Sequence, residues 1–216
     1  MTSPLRRSGA TERAVDLPVG RLPPGRLPPG QGVSSAWPVE HYGRVPVFDP
    51  GAWDLRVHGA TADGRERTFD WVGFDSLPRT QVKADLHCVT RFSVLDIAWG
   101  GVSTAALVQL VPPDDDVRHV VVWAEYGYSA NLRLSDFLAG TSLLATHLEG
   151  EPLSPDRGFP LRLVVPHLYA WKGPKWVRAV EYVTTDRRGF WEERGYHNQA
   201  DPWREQRYAY EETDED

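Results

Sequence analysis

Short strand-like runs, each closed by glycine or proline, limit what this chain can fold into more than any other feature. Trp53 to Gly59 alternates and ends on glycine, and a turn at Ala62-Asp63-Gly64 leads into a second run from Glu66 to Trp71. Arg118 to Ala124 is a continuous apolar run, and Ser142 to Leu148, Leu161 to Val165 and Lys175 to Thr184 read as further strands. Helical signals are brief. Phe74 to Leu77 is stopped by Pro78, Val102 to Val111 has Ser103 as a cap and Pro112-Pro113 as its end, and Ser135 to Leu138 makes one more turn. Glu125 to Asn131 reads as a turn-rich loop. Many strands with few helices predict an α+β, strand-rich domain. Strands and helices do not alternate as a doubly wound sheet requires, and no glycine-rich phosphate loop is present.

Two hundred and sixteen residues suit one such domain. Residues 1–35 carry few large apolar side chains, and Arg21-Leu22-Pro23-Pro24-Gly25 is repeated at once as Arg26-Leu27-Pro28-Pro29-Gly30. A disordered, polyproline-like leader is expected there, with the folded domain over 36–210 and a frayed acidic tail over 211–216. The aromatic segment Gly189 to Asn198 is too rich in rings for a free tail and is expected to pack back. A formal charge of −6 argues against a nucleic-acid partner. No run is long enough to span a bilayer, and Arg6-Arg7 lacks the apolar segment a signal peptide needs, so a cytoplasmic protein is expected.

The single cysteine decides the chemistry. Cys88 permits no internal disulfide and no cysteine-rich metal site. Gln81 to Val89 alternates, which puts the thiol near the end of a strand, ahead of an expected loop containing Trp99-Gly100-Gly101. His87 beside it points to the opposite face and is a poor base for that thiol. A lone cysteine in such a place is either a small buried hydrophobe or a reactive group. A second block, Pro160 to Pro166 followed by Lys172-Gly173-Pro174-Lys175, offers arginine, lysine and glycine of the kind that hold a phosphate. Asp114-Asp115-Asp116 reads as a solvated loop.

His87-Cys88-Val89-Thr90-Arg91-Phe92-Ser93, then Trp99-Gly100-Gly101-Val102, resembles the molybdenum-ligand segment of the sulfite oxidase family. The likeness is to its short bacterial molybdopterin-dependent oxidoreductases and to the catalytic subunit of the periplasmic methionine-sulfoxide reductase. It covers roughly residues 37 to 208. The resemblance implies a sulfite-oxidase-type α+β fold and a molybdenum–molybdopterin cofactor. It makes Cys88 the metal ligand and catalytic residue. Gly158-Phe159-Pro160-Leu161-Arg162 and the lysine loop are similar to segments that hold the pterin and its phosphate. Arg162, Gly173, Pro174 and Lys175 are then expected cofactor contacts, and Arg157 and His41 are carried over as further ones. Arg157 stands where the sulfoxide reductases have asparagine, and His41 lies in a segment whose other identities differ.

The implied activity is two-electron oxygen-atom transfer to or from a small substrate, an S-oxide, N-oxide or sulfite-like molecule. A separate electron donor or acceptor protein is implied, because no heme domain is read in the sequence. A metal-free thiol enzyme using Cys88, and a cofactor-binding module without turnover, are the alternatives. Sulfite oxidases proper follow their cysteine with Ala-Gly-Asn-Arg-Arg, whereas this chain has Val89-Thr90-Arg91-Phe92-Ser93. Losing paired arginines predicts poor use of sulfite, unless Arg118, Arg133 or Arg194 enters the site. Tyr126, Tyr128 and the Phe190 to Tyr196 segment are expected near the pocket.

Overall fold

A computed structural model describes residues 6–7 and 22–213. Two large sheets carry the domain, beside a two-stranded antiparallel pairing of Arg6–Arg7 with Glu40–His41. The first joins Gly32–Val33, Thr80–His87, Phe92–Ser103, Leu143–Leu148, Glu151–Pro152 and Arg162–Val164. The second runs in the order Arg67–Asp70, Asp54–Gly59, Val177–Val183, His119–Ala124, Ser129–Arg133. Its pairings are antiparallel except that of Asp54–Gly59 with Val177–Val183. Helices are short. Trp71–Asp75 is capped by the Asp70 carboxylate, and Thr104–Leu110 by the Ser103 hydroxyl, each accepting an otherwise orphaned backbone N–H.

The main core fills the space between the sheets. Leu55, Val57, Val120, Val122, Val177 and Val180 of the second sheet meet Val102, Leu144 and Leu163 of the first, with Phe74, Leu107 and Phe137 of the helices closing it. Each fully buried side chain of this size contributes roughly 1.5–3 kcal/mol. A second cluster of Leu86, Ile97, Trp99, Leu143, Ala145, Leu153 and Val164 covers the other side of the first sheet. The α+β expectation holds.

Three local expectations do not. Trp99-Gly100-Gly101 belongs to the twelve-residue strand Phe92–Ser103, the centre of the first sheet, and not to a loop. Gly101 is there for packing, since a Cβ on it would lie 2.1 Å from the Leu144 carbonyl oxygen. Ser129–Arg133 is a strand where a loop was expected, because Ala130, Asn131 and Leu132 are buried against its neighbours. The leader is not wholly free of the domain either. Gly32–Val33 pairs in parallel with Phe92-Ser93, and Arg26 forms an ion pair with Asp85. Order therefore begins before residue 36, because backbone pairing at a sheet edge does not need an apolar sequence. Residues 1–5 and 8–21 of the leader, and 214–216 of the tail, lie outside the described residues. No helix among the described residues is long and apolar enough to cross a membrane.

Candidate functional site

The strands Thr80–His87 and Phe92–Ser103 are joined by a tight turn, and Cys88 opens it. The Cys88 N–H donates to Phe92 O at 2.8 Å, and the Arg91 N–H returns to Cys88 O at 3.1 Å. Arg91 takes a φ of 74° to close the turn. The turn is fastened from outside as well. Gln31 Nε2 donates to Cys88 O at 3.0 Å, and Arg207 Nη1 donates to Val89 O at 2.7 Å. His87 faces away from the thiol, with its Nδ1 2.8 Å from Ser93 Oγ. The thiol is thus aimed by a rigid hairpin.

It points into an open cleft of about 990 Å³. His41, Arg162, Gly173, Pro174 and Lys175 line the same cleft, so the structure gathers residues more than 130 positions apart in the chain. Around the sulfur, Thr90 Oγ1 lies at 3.1 Å and Glu40 Oε2 at 3.5 Å. Burial pushes the thiol up to about 11, with the Glu40 charge adding to the shift and the Thr90 hydrogen bond opposing it. Tyr128, Trp191 and Tyr196 complete the wall on one side. Tyr126 does not reach it, being 43 % exposed with Arg44 over its ring.

The site also gathers cations. Arg157 and Arg162 flank the tight turn at Gly158, whose φ of 113° and close approach to the Arg162 and Lys175 side chains leave no room for a Cβ. Arg157 lies over Trp37 and donates to its carbonyl at 3.2 Å; Arg162 lies over Trp99 and donates to Arg157 O at 3.2 Å. Lys175 Nζ donates to Glu40 O and Asp156 O, each at 2.8 Å. Burial and its two arginine neighbours pull Lys175 down to about 7, and burial and Arg157 pull Arg162 to about 10. Arg157 Nη1 and Arg162 Nε are buried with no hydrogen-bond partner. Three crowded cations with orphaned donors form a cluster that an anion such as a phosphate completes.

The lysine loop divides its roles. Lys172 turns into the protein, 1 % exposed, and donates to Glu192 Oε1 at 2.7 Å and to Asn131 and Asn198. It ties the aromatic C-terminal segment to the domain, which packs back as expected through Tyr169, Trp171 and Ala200. Gly173 is needed for space, because a Cβ would meet the Leu163 carbonyl at 2.5 Å; its N–H is spent on Ala170 O at 3.1 Å and does not reach for an anion. None of the arginines named as possible substitutes enters the cleft. Arg91 turns toward Gly30, Arg118 donates to Asp115 O, Arg194 lies 3.7 Å from the centre of the Phe190 ring, and Arg133 lines a separate small cavity. Among the described residues no group of three acidic, histidine or cysteine side chains stands as a metal cluster, and Asp114 to Asp116 stays a loop. Sequence reading missed Glu40 and Thr90. Thr90 is legible two residues after the cysteine, whereas nothing local brings Glu40 to it across 48 positions.

Comparison with known proteins agrees with this geometry. The family model described as the oxidoreductase molybdopterin binding domain matches residues 42–191. An uncharacterized oxidoreductase of Bacillus subtilis (strain 168), YuiH, is 43% identical over 181 residues, covering 83% of this chain and 90% of that protein. Mitochondrial sulfite oxidase of Drosophila melanogaster is 25% identical over 185 residues, covering 73% of this chain but 32% of its own length. Among solved structures, the sulfane dehydrogenase SoxCD from Paracoccus pantotrophus shares the fold, with a TM-score of 0.61 at 17% identity over 68% of this chain and 42% of that one. The chain therefore belongs to the oxidoreductase family defined by the molybdopterin-binding domain, and its cofactor is molybdenum on molybdopterin.

Proposed function

We propose that this chain catalyses two-electron oxygen-atom transfer to or from a small substrate, with Cys88 as the protein's ligand to molybdenum. One observation carries the reading: the lone thiol shares one cleft with Arg162 and Lys175, while Arg157, which does not line that cleft, stands next to Arg162, each arginine with an orphaned donor. Arg162 and Lys175 are the contacts for the pterin phosphate, with Arg157 beside them, and His41, Gly173 and Pro174 form the adjoining wall. When bound, the group supplies the two-electron redox change that lets an oxygen atom pass.

The chain's own residues do the rest. The hairpin fixes the direction of the Cys88 sulfur. With the thiol pushed up to about 11, Cys88 holds its proton at neutral pH until the metal takes that place, and Thr90 stays as a hydrogen-bond partner to the sulfur. The same raised value, with His87 turned to Ser93, weighs against a metal-free thiol enzyme, which needs a ready thiolate. Trp37, Trp176, Trp191 and Tyr196 wall the cleft and limit water around the substrate. The reading includes a separate electron donor or acceptor protein and a cytoplasmic location, where a lone thiol committed to a metal needs no oxidising surroundings.

Metal analysis of protein from a cofactor-competent host tests it. About one molybdenum per chain and loss of turnover in Cys88→Ser are expected, and Cys88→Ser protein with full metal and unchanged oxidoreductase activity refutes it. Co-purification with a redox protein and cell fractionation test the partner and the location.

A further inference from the structure

We propose that Glu40 sets the charge selectivity of the cleft: its carboxylate, beside the Cys88 sulfur, turns anionic substrates away and leaves neutral S-oxides and N-oxides as the class accepted. The substrate side rests on the molybdenum reading. The field at the sulfur rests on geometry alone.

Glu40 is held in place by its neighbours. Its carbonyl takes the Lys175 Nζ at 2.8 Å, and the next residue, His41, packs edge-on against Trp176 at 5.4 Å between centroids. That anchoring leaves the side chain to reach toward the thiol at 3.5 Å. Its charge acts directly on the Cys88 thiol, which it raises, and it also acts on Lys175. The other charges of the cleft are not in contact with the sulfur. Lys175 donates to two backbone carbonyls, Arg162 is buried against Trp99, and Glu125 is paired with Arg178 at 2.7 Å. Arg157, Arg162 and Lys175 also form the cluster that a phosphate neutralises. What remains beside the sulfur is one carboxylate.

The sequence after the cysteine agrees. Phe92 lines the cleft, Ser93 is fully buried under His87 and Gln31, and Arg91 turns toward Gly30. No arginine stands by the sulfur to counter Glu40. A unit charge some 5–6 Å from another in a partly screened site changes an encounter by roughly tenfold. A sulfite dianion meets that penalty twice, and a neutral sulfoxide not at all.

Two reagents read the field without any metal. Cys88 is the chain's only cysteine, so alkylation of the full-length, cofactor-free protein followed by mass spectrometry reports one site. Iodoacetamide is neutral and iodoacetate is an anion. Both attack the same thiolate, so the ratio of their rates at one pH cancels the thiolate fraction. Arg162 and Lys175 of the cofactor-free cleft draw the anion in for every variant alike, so the change in the ratio of iodoacetamide to iodoacetate rates between variants is what reads Glu40. Glu40→Gln is expected to lower this ratio by threefold or more, and Glu40→Asp to keep it high, with circular dichroism checking the fold of each. A change of less than threefold in Glu40→Gln overturns the proposal.

The holoenzyme gives the second arm. Glu40→Gln is expected to shift the kcat/KM ratio of dimethyl sulfoxide to sulfite toward sulfite by tenfold or more. An unchanged ratio in an active holoenzyme overturns the filter, even where the alkylation ratio falls. A protein with no molybdenum and no turnover removes the molybdenum reading instead, and the alkylation ratio alone then decides what Glu40 does at the thiol.

Discussion

Anion binding at the Arg157, Arg162 and Lys175 cluster should take up a proton, and the amount follows from the structure. Lys175 is pulled down to about 7 by burial and by two arginines, against a smaller opposing pull from Asp156 and Glu40. At pH 8 roughly a tenth of it is protonated in the free protein. A dianionic phosphate beside the Nζ reverses the penalty and restores the ammonium, so binding should take up about 0.9 proton per anion. A simple phosphate monoester such as glycerol phosphate is the probe, since its second pKa near 6 leaves it dianionic at pH 8. Calorimetric titration of the cofactor-free chain in two buffers of different ionisation enthalpy measures the uptake directly. Lys175→Met should abolish it. Arg162→Ala removes one of the cations that hold Lys175 down, so it should reduce the uptake and also weaken binding by roughly 1.5–3 kcal/mol, the value of a charge-assisted bond. The same group sets a stability slope. Between about 7 and the ordinary lysine value of 10.5 the unfolded chain binds more protons, so the free protein should gain stability as pH rises through this window and lose it as pH falls back to about 7, below which the slope vanishes. An uptake below about 0.3 proton, or one that survives Lys175→Met, would refute the assignment of Lys175 to the anion cluster.

Two substitutions probe the frame around the site. Lys172→Ala leaves Glu192 buried without its partner and should cost about 3–5 kcal/mol in denaturant unfolding, whereas Lys172→Met with Glu192→Leu should recover most of it; a loss under about 1 kcal/mol in the single variant contradicts the pairing. Gly101→Ala drives a Cβ to within 2.1 Å of the Leu144 carbonyl oxygen and should lower the Tm by about 5–10 °C, read by thermal unfolding.

The strands were legible wherever their own residues decide the outcome. Val120 to Ala124 is apolar throughout because residues on both faces are buried, and it appears within the strand His119–Ala124. Ser103 capped the predicted helix as expected, since a cap is a contact across three residues. The failures have the opposite origin. Trp99-Gly100-Gly101 reads as a loop because glycine pairs mark turns, but here glycine is demanded by the Leu144-Ala145 backbone passing across the sheet. Gln31 sits in a proline-rich run with no pattern of its own, and its side chain is held by distant partners, Cys88 and Ser93 among them. The site divides in the same way. Cys88 and Arg162 stand in segments that resemble the family, while Glu40 becomes part of the site through a contact no local spacing encodes. Lys172 and Lys175 look equivalent in sequence, and only the fold sends one to Glu192 and the other to the cleft.

The fastening of the cysteine turn has a temporal side. Its two carbonyls, those of Cys88 and Val89, are satisfied by Gln31 from upstream and Arg207 from downstream. A chain growing from its N-terminus acquires the first donor before the cysteine exists and the second only after the rest of the cleft has been made. Until residue 207 is free to fold back, the Val89 carbonyl lacks that donor, and the wall supplied by Trp191 and Tyr196 is also missing. The finished turn and the full wall of the cleft thus come together only after the segment from Trp191 to Arg207 has folded back.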